Sequence, residues 1–348
     1  MAHLIQSIPD REILIDGKPY SYFGGTSYLG LQNHVPFKEL YLKNVAEYGM
    51  QYGASRKSNV KLSIYEEAER YLANWAGCED CLTMSSGYLV AQLVVHTLLD
   101  KGLPVFAAPN AHTAVLLNGV KTTNSFEELN RQVVSKEIDK DQLPVVLFDT
   151  IDFSGGQYPS FDALKTLPLE KIILVGDDSH GIGVVGNNGE GCYAELKKLN
   201  AAKLLVCCSL GKALGIQAGA VFSNKETIDI LKNTPFYGGA SPASPAFMAT
   251  LMDAKEIYSK RLTELKSNYQ DFRSQLKVHS FFNHMEGHPT FEFQDTGVAT
   301  ALNKNGFIFT NFNYPDENGP LVSRIVLSAY HTKQDIENLV GCINVVTG

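Results

Sequence analysis

Lys212 lies in the segment Ser209-Leu210-Gly211-Lys212-Ala213-Leu214-Gly215, which is small and apolar on both sides of the amine. A lysine desolvated by such neighbours has a lowered pKa and becomes a nucleophile, able to hold an aldehyde as a Schiff base. A second group, Asp177-Asp178-Ser179-His180, brings two carboxylates and an imidazole within four positions. A third, Ser85-Ser86-Gly87-Tyr88, stands between an apolar run and a helical pattern, VAQLVVHTLL. Small residues at such a turn leave backbone N–H groups aimed at one spot, an anion cradle. Each group also has a plain structural reading. The Ser-Ser-Gly turn could be only a helix cap, a histidine a packing residue, and Asp177 or Asp178 the cap of the next helix.

The elements that would position these groups follow a recurring pattern. Short apolar runs, CLTM (81–84), PVFAA (104–108), PVVLF (144–148), KIILV (171–175) and KLLVC (203–207), alternate with amphipathic stretches such as SIYEEAERYLANWA (63–76) and FEELNRQVV (126–134). Continuous rather than alternating apolar runs read as strands buried on both faces, hence a largely parallel sheet covered by helices. Ligands of such sheets bind beyond the carboxyl ends of the strands. Ser85–Gly87 follows CLTM, Asn110 and His112 follow PVFAA, Asp149 follows PVVLF, Asp177 to His180 follow KIILV, and Ser209 and Lys212 follow KLLVC. One sheet edge thus collects a cradle for an anion, imidazoles, carboxylates and an amine. That conjunction fits pyridoxal phosphate. The lysine would take the aldehyde, a carboxylate would keep the pyridine nitrogen protonated, a ring would stack on one face, and the cradle would hold the phosphate.

The last third changes character. A long helical stretch (244–275) precedes strand candidates TFEFQ (290–294), FIFTNF (307–312) and SRIVLS (323–328), and TKQDIENLVGCINVV (332–346) reads as a final helix. This describes a small α+β domain. We expect an N-terminal segment (1–45) packing with it, a large α/β domain (46–240) and the small domain itself (241–348). Among 348 residues, 30 Lys and Arg face 37 Asp and Glu, a net charge of −7 without basic runs, which argues against nucleic acid and anionic membranes as partners. No apolar stretch approaches the ~20 residues that span a bilayer, and no signal peptide is visible. Six cysteines are too few to staple a chain of this length, so a cytoplasmic location is expected.

With these residues in view, the chain resembles the α-oxoamine synthases. These are fold-type-I pyridoxal-phosphate enzymes that include 8-amino-7-oxononanoate synthase, 2-amino-3-ketobutyrate CoA ligase, 5-aminolevulinate synthase and serine palmitoyltransferase. The resemblance is strongest in DDSHGIGVVGNNGEG (177–191) and SLGKALGIQAGAV (209–221). YLGL (28–31), YGASR (52–56), SSGYLVAQ (85–92) and AYHTKQDI (329–336) support it. It implies a large domain with a mostly parallel seven-stranded sheet, a small α+β domain, and a homodimer with shared active sites. It also implies condensation of an amino acid with an acyl-CoA, with loss of CO2. Overall similarity favours the 8-amino-7-oxononanoate synthase branch, which serves biotin biosynthesis. Carried over by position, Lys212 holds the aldehyde and later takes the α-proton, Asp177 pairs with the pyridinium nitrogen, and His180 bonds the ring hydroxyl. His112 stacks on the ring. Ser86, Gly87, Tyr88 and Ser209 lie near the phosphate, with Ser154 a looser match and Ser241 a substitute for the family's Ser/Thr reaching the partner's phosphate.

Two departures bear on the substrate. Asn313 falls where the family places an arginine for the substrate carboxylate, and an amide cannot supply that charged fork; Arg324 aligns elsewhere. Tyr237-Gly238-Gly239-Ala240-Ser241 stands where the family offers hydroxyls. Another pyridoxal-phosphate activity, such as an aminotransferase, or a non-catalytic relative that binds the cofactor, are the alternatives. Arg56 either meets substrate or CoA or is a solvated loop residue. Cys78 and Cys81 read as small apolar residues rather than a redox or zinc pair, Tyr65 as packing, and His279, His284 and His288 as unsuited to a metal site.

Overall fold

The computed structural model describes residues 3–109, 111–116, 119–135, 142–314 and 317–347. Among these, twelve strands form two six-stranded sheets. In chain order they are β1 (Glu12–Ile15), β2 (Lys18–Phe23), β3 (Asp80–Met84), β4 (Val105–Ala107), β5 (Val145–Asp149), β6 (Ile173–Asp177), β7 (Lys203–Ser209), β8 (Gly219–Ser223), β9 (Asn283–His284), β10 (Thr290–Glu292), β11 (Phe307–Asn313) and β12 (Leu321–Val326). Contacts divide the chain into two units. One comprises Glu39–Asp152 and Gly156–Lys255, the other Met1–Lys38, Phe153–Gly155 and Glu256–Gly348.

The first unit is built on the sheet β3-β8-β7-β6-β5-β4. β4 to β7 run parallel, and β8 is antiparallel to both its neighbours. All five apolar runs form strands. Leu82, Leu147, Val175 and Leu205 are buried with the apolar face of the helix Gly87–Asp100, which is why these strands carry uninterrupted apolar residues. The expected seven-stranded sheet has six strands among the described residues. At the β4 edge, the place of a further strand is taken by one parallel bridge, Ala107 to Thr122. Polar β-branched residues in Lys121-Thr122-Thr123-Asn124 allow that single pairing, reinforced by Thr123 N–H and Oγ1 donating to the Ala107 carbonyl at 3.0 and 3.1 Å. The apolar runs do not predict β8, because GAVFS opens on the small residues of the lysine segment.

Register explains how the chemistry converges. Asp149 pairs with Asp177, and Asp177 with Cys207, across the parallel strands. Ser209 pairs with Gly219, and Gly219 with Met84. The ends of β3, β7, β6 and β5 therefore share one sheet edge.

The second unit carries the sheet β1-β2-β11-β12-β10-β9. β1 and β2 make a hairpin through Asp16 (φ 49°) and Gly17 (φ 76°), the two left-handed residues of a type I′ turn. Asp-Gly is the residue pair this turn selects. β2 then pairs in parallel with β11. Phe23, Phe272, Phe291, Phe293 and Ile336 belong to its core. The closing helix, Lys333–Val346, begins on a capping box in which Thr332 and Asp335 bond each other's backbone N–H. The long stretch 244–275 is two helices, Pro245–Asp253 and Lys255–Gln275, interrupted at Ala254.

Candidate active site

Lys212 is half-buried, and its sequence neighbours Leu210, Ala213 and Leu214 are buried. Its Nζ lies 2.9 Å from Nε2 of His180. When the amine is an ammonium it donates and Nε2 accepts, which places the ring proton on Nδ1. The two segments singled out in the sequence thus meet at one hydrogen bond.

Asp177 ends β6 and is buried, with Oδ1 accepting the Ser179 N–H at 2.9 Å. Ser179 in turn accepts from the Ser209 N–H through its Oγ, at 2.9 Å, tying the end of β6 to that of β7. Asp178 has a different role. It is 1% exposed, and its Oδ1 accepts from Thr150 Oγ1 (2.6 Å) while its Oδ2 accepts the Cys192 N–H (2.9 Å). Burial pushes its carboxyl up to about 6, against those hydrogen bonds. A Cβ on Gly181 would stand 2.0 Å from Oδ1, and one on Gly191 2.2 Å from Oδ2, so the glycines of this loop leave room for the carboxylate itself.

Ser86 caps the helix Gly87–Asp100, its Oγ accepting the Leu89 N–H at 3.1 Å. The N–H groups of Gly87 and Tyr88 belong to the first turn, where no carbonyl one turn earlier exists to receive them. The turn is packed tightly against its neighbours. A Cβ on Gly87 would lie 2.6 Å from Cβ of Ser209, and one on Gly219 2.3 Å from the Ser86 carbonyl oxygen. Ser209 Oγ accepts the Gly211 N–H at 3.3 Å. His112 is held through both backbone and ring, its N–H donating to Asp149 Oδ1 (2.9 Å) and its Nδ1 accepting the Ala114 N–H (3.1 Å). Asn110 lies outside the described residues.

Other candidates are placed elsewhere. Ser241 is exposed in a cleft of about 280 Å³ formed by residues 51–55 and 238–242. Ser154 belongs to the second unit, as do Asn313 and Arg324. Asn313 donates from Nδ2 to the Glu317 carbonyl at 2.8 Å. Arg324 pairs across strands with Glu292, Nε to Oε1 at 2.6 Å, and stacks 4.4 Å over the Phe153 ring.

Arg56 is not a solvated loop residue. Its guanidinium makes a two-pronged pair with Glu69, at 2.9 and 3.1 Å, and the two side chains are 9% and 4% exposed. Tyr65, buried with its hydroxyl donating to the Ala243 carbonyl, lies 4.3 Å beneath the guanidinium. Loop sequence alone hid this, because the partner carboxylate sits on a helix thirteen positions away. Burial raises the Cys78 thiol to about 12 and pushes the Cys81 thiol well above its ordinary value, so neither is a thiolate near neutral pH. His288 packs edge-on to Tyr28 and His284 stacks on Phe291.

The chain matches the aminotransferase class I and II family over residues 23–343. It belongs to that family. Among family relatives, an 8-amino-7-oxononanoate synthase of Aliivibrio fischeri is 28% identical, over 95% of this chain and 90% of the relative. One of Thermoanaerobacter pseudethanolicus is also 28% identical, over 96% and 89%. Among solved aminotransferase-fold structures, a serine palmitoyltransferase from S. paucimobilis with a bound PLP–myriocin aldimine superposes with a TM-score of 0.83 at 19% identity, covering 99% of this chain and 92% of that one. The 8-amino-7-oxononanoate synthase of Francisella tularensis superposes with 0.72 at 19% identity, covering 94% and 97%. At such identities the likeness is one of fold, and it is the fold-type-I α/β arrangement read from the sequence.

Proposed function

We propose that this protein is a pyridoxal-phosphate-dependent α-oxoamine synthase, condensing an amino acid with an acyl-CoA and releasing CO2 and CoA. The observation that carries this reading is the Lys212–His180 contact at 2.9 Å on the sheet edge where Asp177 ends β6. The donor set fits the cofactor. A primary amine suits its aldehyde, and a buried carboxylate, whose Oδ2 accepts no hydrogen bond among the described residues, suits a protonated ring nitrogen. The first turn of the helix Gly87–Asp100 suits a phosphate dianion through its N–H groups and its dipole.

When bound, pyridoxal phosphate supplies an electron-accepting ring that stabilises negative charge at the α-carbon of the amino acid. The chain does the rest. Lys212 Nζ takes the α-proton, and His180 Nε2 holds that amine in line and can accept its hydrogen bond when it is charged. Asp177, buried and fixed by the Ser179 N–H, would pair with the ring nitrogen. Ser86, Gly87, Tyr88 and Ser209 would hold the phosphate, and His112 would lie against the ring face. We place the enzyme in the cytoplasm as a homodimer. With Arg324 already neutralised by Glu292, the substrate carboxylate has no preassembled arginine fork at that residue.

The test is the visible spectrum of the protein with added pyridoxal phosphate, beside Lys212→Ala. A protein-bound band that borohydride abolishes and the variant lacks supports the reading; its absence overturns it. Assay of CO2 and free CoA over a panel of amino acids and acyl-CoAs then separates the synthase from an aminotransferase, which would release neither. Light scattering of the same sample reads the dimer.

A further inference from the structure

We propose that Arg56 and Glu69 are positioning residues that set the phosphate-binding turn through strand β3. The inference rests on the cofactor reading above and deepens it. Glu69 uses one oxygen for two tasks. Its Oε1 accepts from Arg56 Nη1 (2.9 Å) and also from Thr83, by the backbone N–H (2.8 Å) and by Oγ1 (3.0 Å). Its Oε2 takes Arg56 Nη2 at 3.1 Å, with Lys232 Nζ 3.6 Å away. The guanidinium is clamped from a second direction by the Tyr65 ring at 4.3 Å and the Tyr237 ring at 5.8 Å.

Thr83 is the penultimate residue of β3, and Ser85-Ser86-Gly87 follows it directly. Met84 pairs with Gly219, where the Ser86 carbonyl comes so close that even one added methyl group would lie 2.3 Å from it. Gly87 meets Ser209 with equally little room, at 2.6 Å for such a methyl. A strand end packed this tightly passes on displacement instead of absorbing it. The carboxylate that fixes Thr83 therefore fixes the direction of the Gly87 and Tyr88 N–H groups. A buried ion pair is a poor source of stability, since desolvation offsets its attraction. Its two-pronged geometry does supply a fixed direction, and the connection to Thr83 shows what that direction controls.

The experiment uses the full chain stripped of cofactor, titrated with pyridoxal phosphate and with pyridoxal, which lacks the phosphate. For Glu69→Gln we expect pyridoxal phosphate to bind about tenfold or more weakly, the scale on which outer hydrogen-bond partners tune a bound group, with pyridoxal unchanged within about twofold. Arg56→Lys, which keeps the charge and loses the fork, should show the same selective loss in smaller measure. Equal weakening of both ligands, or none, overturns the proposal. Where Glu69→Gln fails to fold, Thr83→Val, which keeps the backbone N–H contact and removes the hydroxyl that meets both Glu69 and Arg56, replaces it. A changed ratio of the two affinities supports the proposal, and an unchanged ratio overturns it. Failure of the unmodified protein to bind pyridoxal phosphate through Lys212 would overturn the functional reading itself, which the first titration reveals before any variant is compared.

Discussion

His331 links stability to pH, and its contribution can be worked out. The ring is buried, stacked on Phe23 with centroids 4.0 Å apart. Its Nδ1 accepts the Ser328 N–H at 3.0 Å, and its Nε2 donates to the Tyr22 carbonyl at 2.9 Å. Both nitrogens are committed in the neutral ring, and a proton on Nδ1 would face another donor. Desolvation accordingly lowers the pKa from 6.5 to about 4. The unfolded chain therefore binds a proton that the native state refuses over the range between these values. Stability from this residue is complete above pH 6.5 and is lost as pH falls toward 4. Between pH 7.5 and 4.5 the loss is about 2–3 kcal/mol, from about 1.4 kcal/mol for each pKa unit crossed. His331→Gln keeps an acceptor and a donor without titrating. Urea unfolding of both proteins at the two pH values gives the difference. The variant should be less stable at pH 7.5 from lost stacking, yet lose about 2–3 kcal/mol less on acidification. Equal acid losses in the two proteins would refute the reasoning, because every other titrating group is common to both.

Three more outcomes are expected. Lys212→Ala should lower turnover by about 10³-fold, within the range that a positioned proton-transfer group supplies, and abolish the borohydride-sensitive band in the same sample. Gly219→Ala should cost about 1–3 kcal/mol in a thermal or urea melt, since its methyl would meet the Ser86 carbonyl oxygen, and should weaken phosphate-dependent cofactor binding with it. Asp178, raised to about 6 in the fold from 3.8, contributes most at low pH and loses that contribution as pH rises through about 6. Asp178→Asn should flatten the fall in stability between pH 5 and 7, which urea midpoints across that range would register.

The parts legible in the sequence were those where a residue type has one physical use. Uninterrupted apolar runs exposed the parallel strands, and the small residues at their ends exposed the edge that gathers Ser86, Asp177, Ser209 and Lys212. The parts that were not legible depend on partners distant in sequence. Arg56 in a loop gives no sign of Glu69 on the helix Ile64–Ala76, and Arg324 gives none of Glu292 on the neighbouring strand. Nothing in residue type marks Ala254 as the break between two helices. The edge strand at Thr122 shrank to a bridge because polar residues there bury little against the sheet.

The adjacent aspartates show how position divides identical chemistry. A strand turns successive side chains to opposite faces, so two carboxylates at its end cannot share one environment. Asp177 is the last residue of β6 and is bonded only to the Ser179 N–H among the described residues, which leaves its other oxygen for a ligand. Asp178, one position on, has both oxygens engaged inside the protein by Thr150 and Cys192. Its raised pKa is thus the cost of anchoring the loop 181–191, and not a sign of catalysis. His180 immediately precedes that loop, and its Nε2 lies 2.9 Å from the amine of Lys212. The carboxyl with both oxygens engaged inside the protein anchors the loop, while its neighbour keeps one oxygen open at the sheet edge among the described residues.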